Sequence, residues 1–383
     1  MNITLQPAIL EWARERAGLS EAALAKKLTA KPEQVQQWEE DGNLTYKRAE
    51  KLAKVTHTPF GYLFLNEPPE EKLPVADFRT VGSEAGGRPS PELLDVLYDA
   101  MRKQDWYREH LLEVGEDPLD FVGSATLKTE KKELAQAMRR KFGFNPQLRT
   151  AVSNWEQALS LMFDHCEDQG VMVIRSGIAE GNTHRPLSVE EFRGFALTDP
   201  YAPLVFINSK DSPAGQMFTL VHELVHLWLG LSGVSNLEQT YAPSKRVEIF
   251  CNAVAAEVLV PLDDLRAALK DGADTVAELK RRFKVSSLVI LRRLHDLKAI
   301  DREQFQKLYL AEEQEFARKR AAQDGGGNYY ATQRVRSGGS RFARALIASA
   351  LEGRTTYREA QGLLGIKKFE TFKKFATELK FSP

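Results

Sequence analysis

Two histidines and a glutamate lie close together in one apolar segment of the chain. The stretch TLVHELVHLWLG, residues 219–230, places His222 and His226 four positions apart, with Glu223 directly after the first histidine. On an α-helix, positions i and i+4 share a face, so both imidazoles can present a nitrogen to one metal ion. The glutamate projects about 100° further round the helix. The spacing therefore predicts a metal site with a carboxylate beside it, which suits hydrolysis.

A purely structural interpretation of the same helix competes with this one. Leu220, Leu224, Leu227 and Leu231 mark an apolar face, and a histidine on such a face is more often a hydrogen-bonded core residue than a ligand. The H-E-x-x-H spacing is suggestive by itself and depends on its context for support.

A second segment downstream offers a third metal ligand. A catalytic zinc takes three protein ligands and leaves a fourth position for water. The segment RVEIFCNAVAAEVLVP has the apolar pattern of a helix, with Glu248 and Asn252 one turn apart. Glu248 follows His226 by 22 residues, enough for a loop and a returning helix, so we expect it to complete a His2Glu site of the gluzincin kind and Asn252 to orient a histidine. Glu257 competes as the third ligand, about 180° round the helix from Glu248.

The composition limits the class of protein. The chain has 383 residues, 43% of them hydrophobic, which suffices for two or three domains with proper cores. The two cysteines, Cys166 and Cys251, form no C-x-x-C pair, and no apolar run reaches the roughly eighteen residues that span a bilayer. These features predict a cytoplasmic protein without a membrane role.

The N-terminal region has the pattern of a string of short helices. ILEWARERAGLS ends near Gly18, a residue that stops helices, and Ser20 can cap the next helix, EAALAKKL. The order of AGLSEAALAKKL and VQQWEEDG resembles the helix-turn-helix domain of the phage-repressor (Xre) type. We therefore expect a five-helix domain of this type over residues 1–70.

The Xre resemblance implies that the third helix enters the major groove of DNA and contacts bases from its N-terminal part. The corresponding exposed positions are Lys31, Glu33, Gln34, Gln36 and Gln37. Glutamine can read adenine edges, but residues 1–70 hold nine Lys/Arg against ten Asp/Glu, a poor balance for attracting phosphate. Operator binding and a protein-interaction or dimerisation role are both open for this domain.

The region around the histidine helix resembles a known peptidase family. VMVIRSG, FRGFALTD and PLVFINS are short β-branched and aromatic runs that predict a small sheet. FINSKDSPAGQMFTLVHELVHLWLG followed by VEIFCNAVAAEVLVP resembles the ImmA/IrrE metallopeptidases, with Cys251 and Val254 as apolar departures from the family pattern. The likeness extends over residues 131–300 and closes on the helix-turn-helix-like VAELKRRFKVSSLVILRRLHDLKAI. The expected fold class is α+β and mostly helical, with a gluzincin-like peptidase domain.

The ImmA/IrrE resemblance implies zinc-dependent cleavage, or regulated removal, of a repressor or toxin partner. With His222, His226 and Glu248 holding Zn2+, Glu223 would move the proton from water to the leaving amine. Tyr241 and His295 are the candidates for stabilising the oxyanion, and PLVFINS, as an edge strand, would hold an extended substrate by β-augmentation. The alternative is an antitoxin-type protein that binds DNA and a toxin with little or no proteolysis; a homodimer is also open.

The chain ends in a basic region. After a linker and helical segment at 71–130 and the peptidase domain at 131–300, we expect a helical extension over 301–383, in which residues 331–383 hold eleven Lys/Arg against four Asp/Glu. EAQGLLGIKKFETFKKF has the rhythm of a second small helix-turn-helix, and its core candidates are Leu363, Leu364, Ile366, Phe369 and Phe372. The positive face is either solvated or binds nucleic acid or an acidic protein, and the Phe and Leu content favours the protein.

Overall fold

The computed structural model describes residues 1–71, 74–78, 89–144, 152, 154–235, 244–273, 275–320 and 338–381. The chain divides into two compact units, Met1–Pro74 with Ser83–Leu97, and Val75–Gly82 with Tyr98–Pro383. Helices predominate and the sheets are small, so the fold is α+β and mostly helical, as the sequence predicts. None of the described helices is long and apolar enough to cross a membrane.

Short helices form the start of the first unit. They are α1 (Pro7–Arg16), α2 (Glu21–Leu28), α3 (Pro32–Asp41) and α4 (Tyr46–Thr56), followed by a 3₁₀ helix at Phe60–Phe64. The fifth helix that the sequence predicts is therefore a 3₁₀ turn. Strands β1 (Asn2–Thr4) and β2 (Asn43–Thr45) pair antiparallel beside the helices.

Local signals fix where these helices start and stop. The Ser20 hydroxyl caps α2 by accepting from the backbone N–H of Ala23 at 3.2 Å. Thr29, with φ of 58°, ends α2, and Pro32 occupies the first turn of α3. The buried faces of the helices meet in one core, which includes Ile9, Trp12, Leu24, Val35, Trp38 and Leu52.

Between residues 91 and 320, the described part of the chain contains nine α-helices. They are α5 (Pro91–Glu113), α6 (Lys131–Phe142), α7 (Trp155–Asp168), α8 (Pro213–Leu229), α9 (Ser244–Leu259), α10 (Leu262–Lys270), α11 (Val276–Phe283), α12 (Ser287–Asp296) and α13 (Arg302–Arg320). Helices α6 to α12 share one apolar core with the sheet, and α8 and α9 supply its centre through residues such as Leu220, Leu224, Val254 and Val258.

A five-stranded sheet packs against these helices. Its strands are β3 (Ala76–Phe78), β4 (Met172–Ser176), β5 (Gly194–Leu197), β6 (Leu204–Asn208) and β7 (Gly233–Ser235), in the order β3-β7-β5-β6-β4. The three predicted strands are confirmed as β4, β5 and β6. The three-residue strands β3 and β7 were not predicted, because so short a run carries no periodic signal.

The position of β6 corrects one prediction. This strand, which contains PLVFINS, pairs parallel with β4 on one side and antiparallel with β5 on the other. It is therefore an interior strand, and its backbone N–H and C=O groups are used by its neighbours. A peptide cannot add to β6 by β-augmentation, so the edge-strand prediction was wrong. All five residues of β6 are buried, so its sequence lacks the alternation of polar and apolar residues that would distinguish an edge strand from an interior one.

The basic C-terminal region is folded. Helices α14 (Ser340–Leu351), α15 (Tyr357–Leu364) and α16 (Phe369–Glu378) follow one another with short connections. The ring of Phe342 on α14 packs at 5.7 Å from the rings of both Trp106 and Tyr107 on α5. The backbone N–H of Ser340 donates to Glu167 on α7 at 2.7 Å. Helix α14 thus anchors this region to the sheet-containing unit.

Candidate metal centre

The histidine helix α8 has well-defined ends. The Ser212 hydroxyl accepts from the N–H of Gly215 at 3.1 Å, and Pro213 follows at the first helical position. Gly230, with φ of 70°, closes the C-terminal end in the left-handed conformation. Seventeen residues lie between these caps, and most of them are buried. The helix is therefore a fixed platform for the side chains it carries.

Three polar side chains converge on one point between α8 and α9. His222 Nε2 lies 3.2 Å from His226 Nε2. Glu248 Oε2 lies 3.1 Å from the first of these nitrogens, and Glu248 Oε1 lies 3.1 Å from the second. A tetrahedral zinc ion with bonds of about 2.0–2.1 Å separates its ligand atoms by about 3.3 Å. The two imidazole nitrogens and the Glu248 carboxylate, which uses both of its oxygens, thus form a triangle close to the size that zinc requires.

The protonation state of His222 explains why a cation fits this triangle. His222 Nδ1 lies 2.9 Å from Asn252 Oδ1, which is an acceptor, so Nδ1 carries the hydrogen in the neutral ring. The lone pair of Nε2 then faces the carboxylate oxygen of Glu248. Two acceptors at 3.1 Å repel each other unless a proton or a metal ion lies between them. The donor set therefore fits a zinc ion, and Asn252 holds the ring that would bind it.

The pKa values of the three side chains are set by burial on one side and by their contacts with one another on the other. Burial alone would lower the pKa of His222, but the adjacent carboxylate of Glu248 raises it above its ordinary value. Burial lowers the pKa of His226, and the contact with Glu248 opposes this shift only in part. Burial would raise the pKa of Glu248, but the two imidazoles lower it to about 2. Glu248 is therefore an anion throughout the neutral range.

The carboxylate of Glu223 lies against strand β5 of the sheet. The side chain is fully buried. A Cβ atom at Gly194 on β5 would lie 3.2 Å from Glu223 Oε1 and 2.6 Å from Thr219 Cγ2. Glycine is thus needed at this point of β5, because α8 approaches the strand so closely. Gly194 lies 29 positions before Glu223 and shares no motif with it, so the sequence gives no signal for this contact.

Glu257, the alternative third ligand, pairs with an arginine instead. Glu257 is buried and forms an ion pair with Arg293 on α12. The guanidinium also donates to the carbonyl oxygen of Val260 at 2.9 Å and contacts Asp296 at 3.1 Å. Glu257 thus links α9 to α12. This contact favours Glu248 over Glu257 as the third ligand.

Cys251 is a further neighbour of the two histidines. Its sulfur and one nitrogen from each of His222 and His226 all lie within 4.8 Å of one another. Burial, together with Glu248 and Glu223, raises the pKa of this thiol well above its ordinary value. The thiol is therefore protonated at neutral pH in the absence of a metal, and Glu248, which contacts both nitrogens, is the better third ligand. The sequence analysis treated Cys251 only as an apolar replacement.

Three parts of the chain match known protein families. Residues 166–295 match the IrrE N-terminal-like domain of the M78 peptidases, and residues 10–63 match a helix-turn-helix family. This chain carries an IrrE-like domain behind a helix-turn-helix domain. Residues 339–378 match a domain of unknown function. No solved structure matches the chain.

A curated relative matches part of the chain. The radiation response metalloprotease IrrE of Deinococcus deserti is 37% identical over 97 residues, which cover 23% of this chain and 34% of that protein. The chain thus aligns with about one third of the length of this relative. The His-rich helix and the following helix of the IrrE-like domain both lie inside the family match.

The remaining predicted site residues are distributed as follows. In the helix-turn-helix domain, Lys31, Gln34, Gln36 and Gln37 are all exposed on or just before α3. Gln36 donates to Glu21 at 2.6 Å, and Gln34 accepts from the Lys31 backbone N–H at 3.1 Å. Of the two oxyanion candidates, His295 packs its ring 5.0 Å from Phe305, and Tyr241 lies outside the described residues.

Proposed function

We propose that this chain is a transcriptional regulator in which the IrrE-like domain is a zinc-dependent metalloendopeptidase that cleaves a repressor or another partner protein. The observation that carries the proposal is the convergence of the Nε2 atoms of His222 and His226 and the carboxylate of Glu248 at 3.1–3.2 Å. A buried arrangement of this kind costs free energy unless a proton or a metal ion lies between the nitrogens and the carboxylate.

Each side chain has a definite task in this proposal. His222, His226 and Glu248 hold the zinc ion, and Asn252 keeps the Nε2 lone pair of His222 directed towards it. Zinc bound there would polarise the scissile carbonyl and lower the pKa of a water molecule. Cleavage then depends on a base that can reach that water.

Glu223 is the base in this proposal. It follows His222 directly on α8, and its carboxylate lies in a buried space bounded by Gly194 and Thr219. Burial keeps bulk water away from this carboxylate, so a proton taken from the attacking water stays available for the leaving amine. Gly194 supports this role, because a side chain there would displace Glu223.

We propose that the helix-turn-helix domain directs this activity to an operator. Helix α3 exposes Gln34, Gln36 and Gln37, which can read base edges in the major groove. The nine Lys/Arg and ten Asp/Glu of residues 1–70 supply little attraction for phosphate. Operator binding through α3 is therefore expected to depend more on sequence than on salt.

A second candidate function is an antitoxin-type protein that binds DNA and a toxin with little or no proteolysis. The burial of His222, Glu223 and His226 favours it, because a peptide bond must reach these fully enclosed atoms before it can be cut. In that case the metal centre stabilises the domain and the partner is held intact.

Co-purification with a partner distinguishes the two functions. Tagged wild-type chain, Glu223→Gln and a surface control, Glu109→Gln, are isolated from cells that carry the native partners. Proteolysis predicts a partner that remains intact only with Glu223→Gln, together with its fragments in the other two preparations. An intact partner in equal amount with all three would reject proteolysis and support the antitoxin-type function.

A further inference from the structure

The structure contains three pairs of helices with the same dimensions. Each pair joins a helix of eight residues to one of ten: α2 to α3, α11 to α12, and α15 to α16. The connections have three or four residues and begin with a left-handed residue: Thr29, Lys284 or Gly365. Two helices joined by so short a turn form a helix-turn-helix. The fold therefore offers three units of one type, two of them outside the N-terminal domain.

The second helix of each pair, α3, α12 or α16, exposes different side chains. On α12 six of the ten residues are buried, including Ile290, Leu291 and Leu294, so this helix belongs to the core. Helix α3 is exposed but carries Glu33, Glu40 and Asp41 on its accessible surface. Helix α16 is also exposed, and lysines surround its N-terminal end. Among the second helices of these three pairs, α16 has an accessible face and two lysines, Lys367 and Lys368, in the turn before it, whereas the charges within the helix balance.

The positive charge is concentrated around the α15–α16 turn. Lys367 and Lys368 in the turn and Lys374 on α16 are all exposed. Described residues 338–381 hold nine Lys/Arg and four Asp/Glu, an excess of five positive charges. Phosphate groups of nucleic acid are the natural counterions for such a surface.

Two aromatic rings lie exposed within this basic surface. Tyr357 and Phe369 are 41% and 42% exposed, and their ring centroids are 5.3 Å apart. The ammonium group of Lys373 lies 5.0 Å from the centre of the Phe369 ring. Phe369 is the first residue of α16, where a recognition helix contacts bases. An apolar ring there can contact the thymine methyl group.

The same contacts weaken the case for a protein partner. The Phe and Leu content of this segment favoured a protein at the sequence level, but Leu364, Ile366, Phe372 and Phe375 are all buried in the small helical core. Around the exposed aromatic pair, Lys367, Lys368 and Lys374 outnumber the one exposed carboxylate of this turn, Glu370. Protein interfaces are depleted in lysine at their centres, whereas phosphate contacts require it.

We propose that α15 and α16 form a second helix-turn-helix that binds double-stranded DNA. Helix α16 lies in the major groove with Phe369 near the base edges, and Lys367, Lys368 and Lys374 contact the phosphates. The chain would then hold DNA at two places, through α3 and through α16. This inference is independent of the metal centre and of any proteolysis.

The test measures DNA binding by the full-length chain at several salt concentrations, with a fluorescent duplex of mixed sequence as the probe. The triple variant Lys367→Gln, Lys368→Gln, Lys374→Gln is compared with a control, Lys128→Gln, Lys131→Gln, Lys270→Gln, which removes the same charge from exposed sites elsewhere. Each phosphate contact contributes about 0.9 to the slope of log K against log salt concentration. The first variant should bind more weakly at low salt and lose about 2–3 units of slope, and the control should lose little.

Two further variants identify the cause of any loss. Phe369→Ala should weaken binding several-fold with little change in slope, because it removes no charge. Gln34→Ala with Gln37→Ala should leave the slope unchanged, so a failure of α3 to bind DNA is distinguished from a failure of α16. Equal slopes for the two lysine triples would overturn the proposal. So would intact DNA binding in the Lys367 triple accompanied by loss of an acidic protein on co-purification.

Discussion

Asn252 on α9 accepts a hydrogen bond from Nδ1 of His222 on α8, at 2.9 Å. This contact joins two helices and determines which nitrogen of His222 carries a proton. It leaves Nε2 as a lone-pair donor directed towards Glu248 and His226. The metal affinity of the site should therefore depend on a residue that is not itself a ligand.

The first prediction concerns Asn252. Asn252→Ala should weaken zinc binding by about 10- to 100-fold, because the His222 ring loses the acceptor that orients it. Asn252→Asp keeps an acceptor oxygen and should retain most of the affinity. Competition with a chromogenic chelator measures both constants. Ile249→Ala, at an exposed position of the same helix, is the control; equal affinities for Asn252→Ala and this control would contradict the prediction.

The second prediction concerns the ligand set. His222→Ala and Glu248→Ala should each lower the zinc content of the purified protein from about one ion per chain, because a three-ligand site loses a donor. Glu223→Gln should keep its zinc, since the glutamate is placed as a base. Elemental analysis of the dialysed proteins measures the content.

Two neighbouring residues provide controls for this ligand set. Cys251→Ala should retain zinc, because Glu248 already contacts both imidazoles. Glu257→Ala should also retain it but should destabilise the fold by about 1–3 kcal/mol, because the buried Arg293 loses one of its two carboxylate partners and keeps Asp296. Full zinc occupancy in Glu248→Ala together with depletion in Cys251→Ala or Glu257→Ala would show that the third ligand has been misassigned.

The third prediction concerns the contact between the sheet and Glu223. Gly194→Ala would place a Cβ 2.6 Å from Thr219 Cγ2 and 2.8 Å from the Phe206 carbonyl oxygen. Such overpacking should lower the free energy of unfolding by about 1–3 kcal/mol and shift Glu223, so proteolysis should fall while zinc is retained. Chemical denaturation measures the stability. Gly362→Ala has no atom within 4 Å of the added carbon and should not destabilise the protein.

The fourth prediction concerns pH in the metal-free protein. The pKa of Glu248 is lowered from its ordinary 4.5 to about 2, so its contribution to stability is present above pH 4.5 and is lost as pH falls towards 2. The pKa of His222 is raised, so the stability from its protonated ring is present below 6.5 and is lost as pH rises through the raised value. Unfolding free energies of wild type and Glu248→Gln should therefore differ most between these limits; a constant difference over the whole range would contradict the assignment.

The affinity for zinc should also depend on pH, through the protonation of His222. The raised pKa of His222 means that a proton occupies the position facing Glu248 as pH falls, and a metal ion must displace it. The affinity for zinc should therefore decrease as pH is lowered through this pKa, with protons released on binding. Isothermal titration in buffers of different ionisation enthalpy counts those protons.

Local sequence determined much of this protein. The spacing of His222 and His226 on one helix face and of Glu248 and Asn252 on another follows from helical periodicity alone, and in the structure the side chains of these two helices lie within 3.2 Å of one another. The strands β4, β5 and β6 and the short N-terminal helices were also predictable, because caps, glycines and β-branched runs act over a few residues. The roles of the metal-site and DNA-contacting residues and the domain boundaries stay predictions.

Tertiary packing decided the rest. The interior position of β6, the approach of Gly194 to Glu223 and the pairing of Glu257 with Arg293 join residues that are distant in the chain. Such contacts depend on which apolar faces meet, and a periodic pattern specifies that a face is buried but not what covers it. In the C-terminal region, Phe369 and Phe372 were both core candidates, but only Phe372 is buried, and Phe369 lies at the surface.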